Sequence, residues 1–287
     1  MDWFTYVLAA TLIYGVINFL YKVGAENGFQ SLHLVNIQSV TVTLIAGIIM
    51  ISRGNTPQDI RALLFFAALN SFFWAGGTSL KISAMKHIPA NIAMPLNKLN
   101  SVFVIMIGLL FFGDSPSPKQ YCGIALSTLT LFLLAKNNGV SGEEKSKSHR
   151  KGIIYILIAA AAIALSMTVG KLAAMKVEKI PYIFFSYAMA SAFTFIGRKY
   201  IMRPPKTASS KSKLTALGIA IGILNIAGYY LMLKAWSTGP ISLVQGILSQ
   251  TMVITLILSS IVYKEKFTIK ITAALILSII ASLLIKG

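Results

Sequence analysis

Acidic side chains are scarce in this chain: 8 Asp and Glu stand against 26 Lys and Arg in 287 residues. All eight acids (Asp2, Glu26, Asp59, Asp114, Glu143, Glu144, Glu178 and Glu265) fall in loops or at the ends of apolar runs. A carrier that trades protons for cations needs a carboxylate inside the membrane, so cation–proton antiport is disfavoured. The one cysteine, Cys122, excludes an intrachain disulfide, and its place in an apolar run reads as a small core residue. His33, His87 and His149 are scattered, with no Cys or His at ligand spacing, so no metal site or nucleophile emerges. No glycine-rich phosphate loop or Walker pattern is present, so ATP-driven transport has nothing to run on and no cofactor is expected. A membrane enzyme would need a polar catalytic cluster at one membrane face, and none is found.

Charge of either sign is also low. Charged residues make up 12% of the chain, where a soluble domain carries about 25%. In their place stand Leu-, Ile- and Phe-rich runs of roughly 20 residues, the length that spans a hydrocarbon core. The runs are continuously apolar rather than alternating, so the spans are helices. The first begins almost at Met1, and further spans follow it throughout, which reads as a retained helix rather than a cleaved signal. The expected class is an all-α integral membrane protein of the cytoplasmic membrane, with the bilayer as its partner. The net charge of +18 concentrates in short loops, where it orients the protein against anionic lipid rather than nucleic acid.

Ten spans are predicted, at about 3–21, 32–51, 62–83, 89–112, 119–136, 152–174, 181–202, 214–235, 240–263 and 268–286. The sequence also repeats. A shift of 151 residues carries Pro89 onto Pro240, Asp114 onto Glu265 and Lys119 onto Lys270 without a gap. A shift of about 149 pairs Tyr6 with Tyr155 and Lys22 with Lys171 near the starts of the halves. This divides the chain into a first five-helix repeat (1–136), a polar linker (137–151) and a second five-helix repeat (152–287). Two homologous units with an odd number of spans, fused in series, must face opposite ways, which makes an inverted repeat. Seventeen Lys and Arg lie in the loops on one side and eight on the other. The positive-inside rule then places both termini outside.

A helix-breaking Pro before an apolar helix, an acid at its end, a Lys soon after and a Gly/Ala-rich closing helix, all duplicated, resembles the EamA-type members of the drug/metabolite transporter superfamily. The matching residues are Pro89, Gly113, Asp114, Lys119 and Gly123, then Pro240, Glu265, Lys270 and Ala274. Tyr14–Lys22 also looks like the family's first-helix pattern. The second motif departs from the family in reading Lys-Glu-Lys rather than Gly-Glu. The resemblance implies ten helices in two inverted five-helix repeats and secondary transport. It also implies termini in the cytoplasm, opposite to the charge count.

Lys98 stands out as a cation deep within its span, where insertion costs at least about 2.5–3.5 kcal/mol. It reads either as a seat for an anionic substrate group or as an internal hydrogen-bonding residue with Asn97 or Asn100 as partner. Asn91, Met94, Lys98 and Ser101 share one helical face, and the repeat carries that face onto Ser242, Gln245, Ser249 and Met252. The two faces should meet across the pseudo-two-fold axis. Trp74 falls on Asn225, each in mid-span, and Asn18 sits in the first span. A polar cavity lined by the first, third, fourth, sixth, eighth and ninth helices follows. The plainer readings are packing for Trp74, interhelical hydrogen bonds for Asn225 and Gln245, and a bond to its own helix for Ser249. Asn97 and Asn100 read as packing residues, Tyr229 as a lesser candidate, and Lys22 and Lys171 as snorkelling side chains. Pro95 should kink the fourth span one turn before Lys98, with Gly246 at the equivalent point of the ninth. The substrate-binding set is thus Lys98, Asn91, Trp74, Asn225, Gln245, Ser249 and Asn18. The expected substrate is a small anionic or zwitterionic metabolite such as an amino acid or organic acid, with drugs or organic cations as the alternative.

Overall fold

A computed structural model describes residues 2–29, 31–54, 57–84, 87–88, 96–135, 147–201, 208–263 and 269–287. Among them the only regular structure is helical. The helices are α1 (Trp3–Glu26), α2 (Ser31–Ser52), α3 (Ile60–Ala84), α4 (Leu99–Phe111), α5 (Pro118–Ala135), α6 (Lys147–Lys176), α7 (Lys179–Ile201), α8 (Ala208–Thr238), α9 (Ile241–Leu248), α10 (Thr251–Tyr263) and α11 (Ile269–Lys286). Among the described residues, six stretches are long and apolar enough to cross a membrane: Trp3–Gly24, Leu32–Ser52, Ile60–Lys81, His149–Lys176, Lys211–Thr238 and Ile241–Tyr263. The last of these is α9 and α10 taken together.

Local chemistry explains where the helices begin and end, and it uses up several of the scarce acids. The Asp2 carboxylate accepts from the Thr5 amide at 3.0 Å and caps α1. Asp59 does the same for α3 through the Ala62 amide at 2.9 Å. Ser117 and Gln120 bond reciprocally around Pro118, the first residue of α5, as a capping box. At the end of α4, Gly113 takes φ +67°, a left-handed conformation open to glycine at little cost, and turns the chain sharply. That turn aims Asp114 back at the bundle.

The packing is two-fold. Exchanging the halves maps α1 on α6, α2 on α7, α3 on α8, α4 on α9–α10 and α5 on α11. Under that exchange the contact of α3 with α6 becomes that of α8 with α1, and both exist. The contact of α2 with α8 becomes that of α7 with α3, again observed. The pairs α2–α7, α4–α9 and α5–α11 map onto themselves. Matching glycines make close approaches in both halves. A Cβ at Gly77 would come within 2.8 Å of Ile163 on α6, and one at its counterpart Gly228 within 3.0 Å of Ile13 on α1. Cys122 lies exposed on α5 rather than in the core, because the packed face of α5 is the one carrying Gly123, against Ala281 and Ile285 of α11.

Candidate functional site: a cavity between two helix breaks

The helical runs before α4 and between α9 and α10 are both interrupted, and at equivalent places. Leu96 and Asn97 are helical, Lys98 forms a turn, and α4 resumes at Leu99. The Ser101 amide bonds the Lys98 carbonyl at 3.0 Å, a tightened turn in place of the regular four-residue bond. In the second half α9 stops at Leu248, Ser249 and Gln250 form a turn, and α10 starts at Thr251. The 151-residue shift carries Lys98 onto Ser249. Discontinuous helices of this kind put unpaired amides and carbonyls inside a bundle, where they suit a binding site. Pro95, the expected kink, lies outside the described residues; Gly246 is inside α9, and the break comes three residues later.

Between the breaks lies a cavity of about 270 Å³. Four of the predicted residues from other helices, Asn18, Trp74, Asn225 and Gln245, line it together with Lys98. The two polar faces meet, as Gln245 Nε2 donates to Ser101 Oγ at 3.0 Å between the halves. Lys98 is half-buried, and its polar contact among the described residues is Thr251 Oγ1 at 3.4 Å rather than Asn97 or Asn100. Asn225 Oδ1 accepts from the Tyr187 hydroxyl at 2.5 Å, and the Tyr187 ring tilts against Trp74 at 6.3 Å between centroids.

Other expectations need correction. Ser249 is not brought to the cavity: its hydroxyl bonds the Gly246 carbonyl at 2.7 Å, within its own helix. Asn91 lies outside the described residues. Asn100, read as a packing residue, lines the cavity, because the break at Lys98 resets the helical phase. Lys171 does not snorkel. It is buried and donates to the carbonyls of Trp236 and, at 2.8 Å, Gly239, closing the C-terminal end of α8. Lys22 is half-buried; it donates to Ser259 on α10 and lies 5.3 Å from the Tyr263 ring centroid.

The wall also includes α2 and α7, through Gln38 and through Ser186, Tyr187 and Ala190, which sequence reasoning left out. It is strongly aromatic, with Tyr14, Tyr21, Trp74, Tyr187, Tyr229 and Trp236. Part of this was readable. Tyr14 and Tyr21 lie on the helical face of Asn18, and the Asn225 face continues through Tyr229, Met232 and Trp236 at four- and three-residue steps. Gln38 and Tyr187 belong to α2 and α7, which hold none of the residues reached by counting faces from Lys98 and Asn225.

One charged side chain, Lys98, stands on the wall among the described residues, and no carboxylate does. Asp114 is engaged elsewhere. Its Oδ2 accepts from the Ser242 amide at 2.8 Å and the Ser242 hydroxyl at 2.7 Å, capping α9 from the other half. A Cβ at Gly108 would come within 3.0 Å of that same amide, so the close approach of α4 to α9 needs a glycine there.

One solved protein crystal structure superposes with a TM-score of 0.77, covering 98% of this chain and 95% of its own at 15% sequence identity. At that identity the likeness is one of fold. No curated protein matches the sequence. The description "EamA-like transporter family" matches residues 1–136 and again 150–287, once for each half. With a duplicated helical unit, two broken helices at corresponding positions and a cavity between them, the chain belongs to the EamA-like transporter family, a multi-pass membrane transporter.

Proposed function

We propose that this transporter moves a small anionic or zwitterionic metabolite, such as an amino acid or organic acid, across the cytoplasmic membrane. In this reading ten spans form two inverted five-helix repeats, and the halves rock about the central cavity to expose it alternately. The observation that carries the proposal is the electrostatics of the wall. Lys98 supplies positive charge at a helix break, and no acid among the described residues neutralises it. A carboxylate beside Lys98 would complete that pair. The two-fold packing supports rocking, and the Asp114–Ser242 contact is an inter-half fastening that such a motion would break and remake.

The test is a ligand-dependent melting shift on purified protein, wild type beside Lys98→Gln. The panel holds amino acids, organic acids, phosphorylated metabolites and lipophilic cations. A ligand at 100 times its dissociation constant adds about 2.7 kcal/mol to the folded state. Carboxylates should stabilise the wild type and not the variant. The aromatic wall favours a second reading, export of drugs or organic cations, since six rings offer faces to a cation. A melting shift with lipophilic cations alone, retained in Lys98→Gln, would establish that reading in place of the first.

A further inference from the structure

The environment of Lys98 bears on what drives the carrier, provided that Lys98 is the carboxylate seat proposed above. An ammonium withdrawn from water needs an opposite charge or a full set of acceptors. Lys98 has neither among the described residues: one hydroxyl, Thr251 Oγ1, lies 3.4 Å away. The groups around it offer no counter-charge. From α1 the phenols of Tyr14 and Tyr21 face the cavity, from α7 that of Tyr187, and from α8 that of Tyr229. From α6 come Ile163, Ser166 and Met167, and from α9 and α10 Gln245, Leu248 and Thr251, none of them ionisable. The nearby charge is like, Lys81 of α3. Asp114, the acid that follows α4, is committed to the start of α9.

A carrier that alternates must cross its occluded state both loaded and empty. Loaded, the ammonium of Lys98 is paired with the carboxylate. Empty, the same ammonium would cross with no partner, a state that a buried lysine avoids by giving up its proton. We infer that Lys98 is the coupling site of the transporter, carrying one proton with each carboxylate and returning neutral. Proton and substrate then move in the same direction. Entry of a monocarboxylate is electroneutral, and entry of a zwitterion carries one positive charge.

The experiment uses the full chain in proteoliposomes with a pH-sensitive dye inside, and L-lactate, succinate, L-alanine and L-phenylalanine as radiolabelled probes. Uptake of a probe should acidify the lumen in step with the label. Alanine or phenylalanine uptake should respond to a potassium diffusion potential, and lactate uptake should not. Lys98→Arg is the decisive variant, because arginine keeps its charge and a carboxylate site but cannot release a proton. It should lose net uptake while labelled exchange persists, whereas Lys98→Gln should lose both. Labelled uptake without proton movement, or proton-coupled net uptake by Lys98→Arg, overturns the inference. If none of the four probes is taken up or shifts the melt, it is the carboxylate reading itself that fails, and the inference with it.

Discussion

Lys22 and Lys171 occupy corresponding places near the ends of α1 and α6, yet they meet different partners. Lys171 closes the C-terminal end of α8 within its own half, while Lys22 crosses to Ser259 of the other half. Lys98 and Ser249 show the same divergence at the helix breaks. Both mark the point where a span is interrupted, but Lys98 points its charge at the cavity wall and Ser249 returns its hydroxyl to its own helix. Duplication therefore preserved the backbone plan, and the polar side chains then took separate tasks on it. The breaks are shared; the charge belongs to one half. A cavity built on a symmetric frame becomes a one-sided recognition site in this way.

The sharpest way to break this comparison is to remove both lysines in turn. Lys171→Met leaves the end of α8 without its side-chain donor, and an unmade bond at a buried polar group costs about 1–3 kcal/mol. Two carbonyls accept from Lys171, so the variant should unfold in detergent at least about 2 kcal/mol more easily, read from denaturant titration. Lys22→Met should lose less, near the 0.6 kcal/mol or so typical of a hydrogen bond between membrane helices. Equal losses at the two positions would mean that the difference in partners has no energetic content.

Asp114→Ala comes next. It removes a carboxylate that accepts two bonds at the start of α9, and loss of such a cap costs about 0.5–2 kcal/mol. Asp114→Asn should recover part of that loss, because an amide oxygen still accepts from the Ser242 amide. The smallest effect is expected at Ser249. Ser249→Ala should shift the midpoint by less than about 0.5 kcal/mol and leave transport unchanged, since its hydroxyl bonds only its own helix. A transport defect in Ser249→Ala with native stability would restore Ser249 to the site.

Much of the frame was legible in the chain. Pro, acid and Lys at one repeat distance betrayed the duplication, and continuous apolar runs required helices. Face-counting from Lys98 and Asn225 picked out residues that stand on one cavity wall, Trp74 and Gln245 among them. It failed where a helix does not continue. Asn100 was placed on the far face by a regular helical phase, and the turn at Lys98 brought it round. It failed also at Lys171, because snorkelling assumes that water is the nearest acceptor, and the end of α8 was nearer.

Periodicity and composition are properties of neighbours along the chain, so the sequence by itself determined the membrane class, the repeat and the stretches that become helices. Two glycines already mark where helices approach, Gly77 against α6 and Gly228 against α1, but only the folded bundle says against what. The tertiary structure alone decided that α9 and α10 are parted at Ser249 and Gln250, that α2 and α7 complete the cavity and that Asp114 serves the opposite half. Each of these depends on which carbonyl, hydroxyl or ring comes within bonding distance from a remote part of the chain. Within apolar helices a buried polar group takes whichever partner packing delivers, and packing is settled by the whole bundle at once.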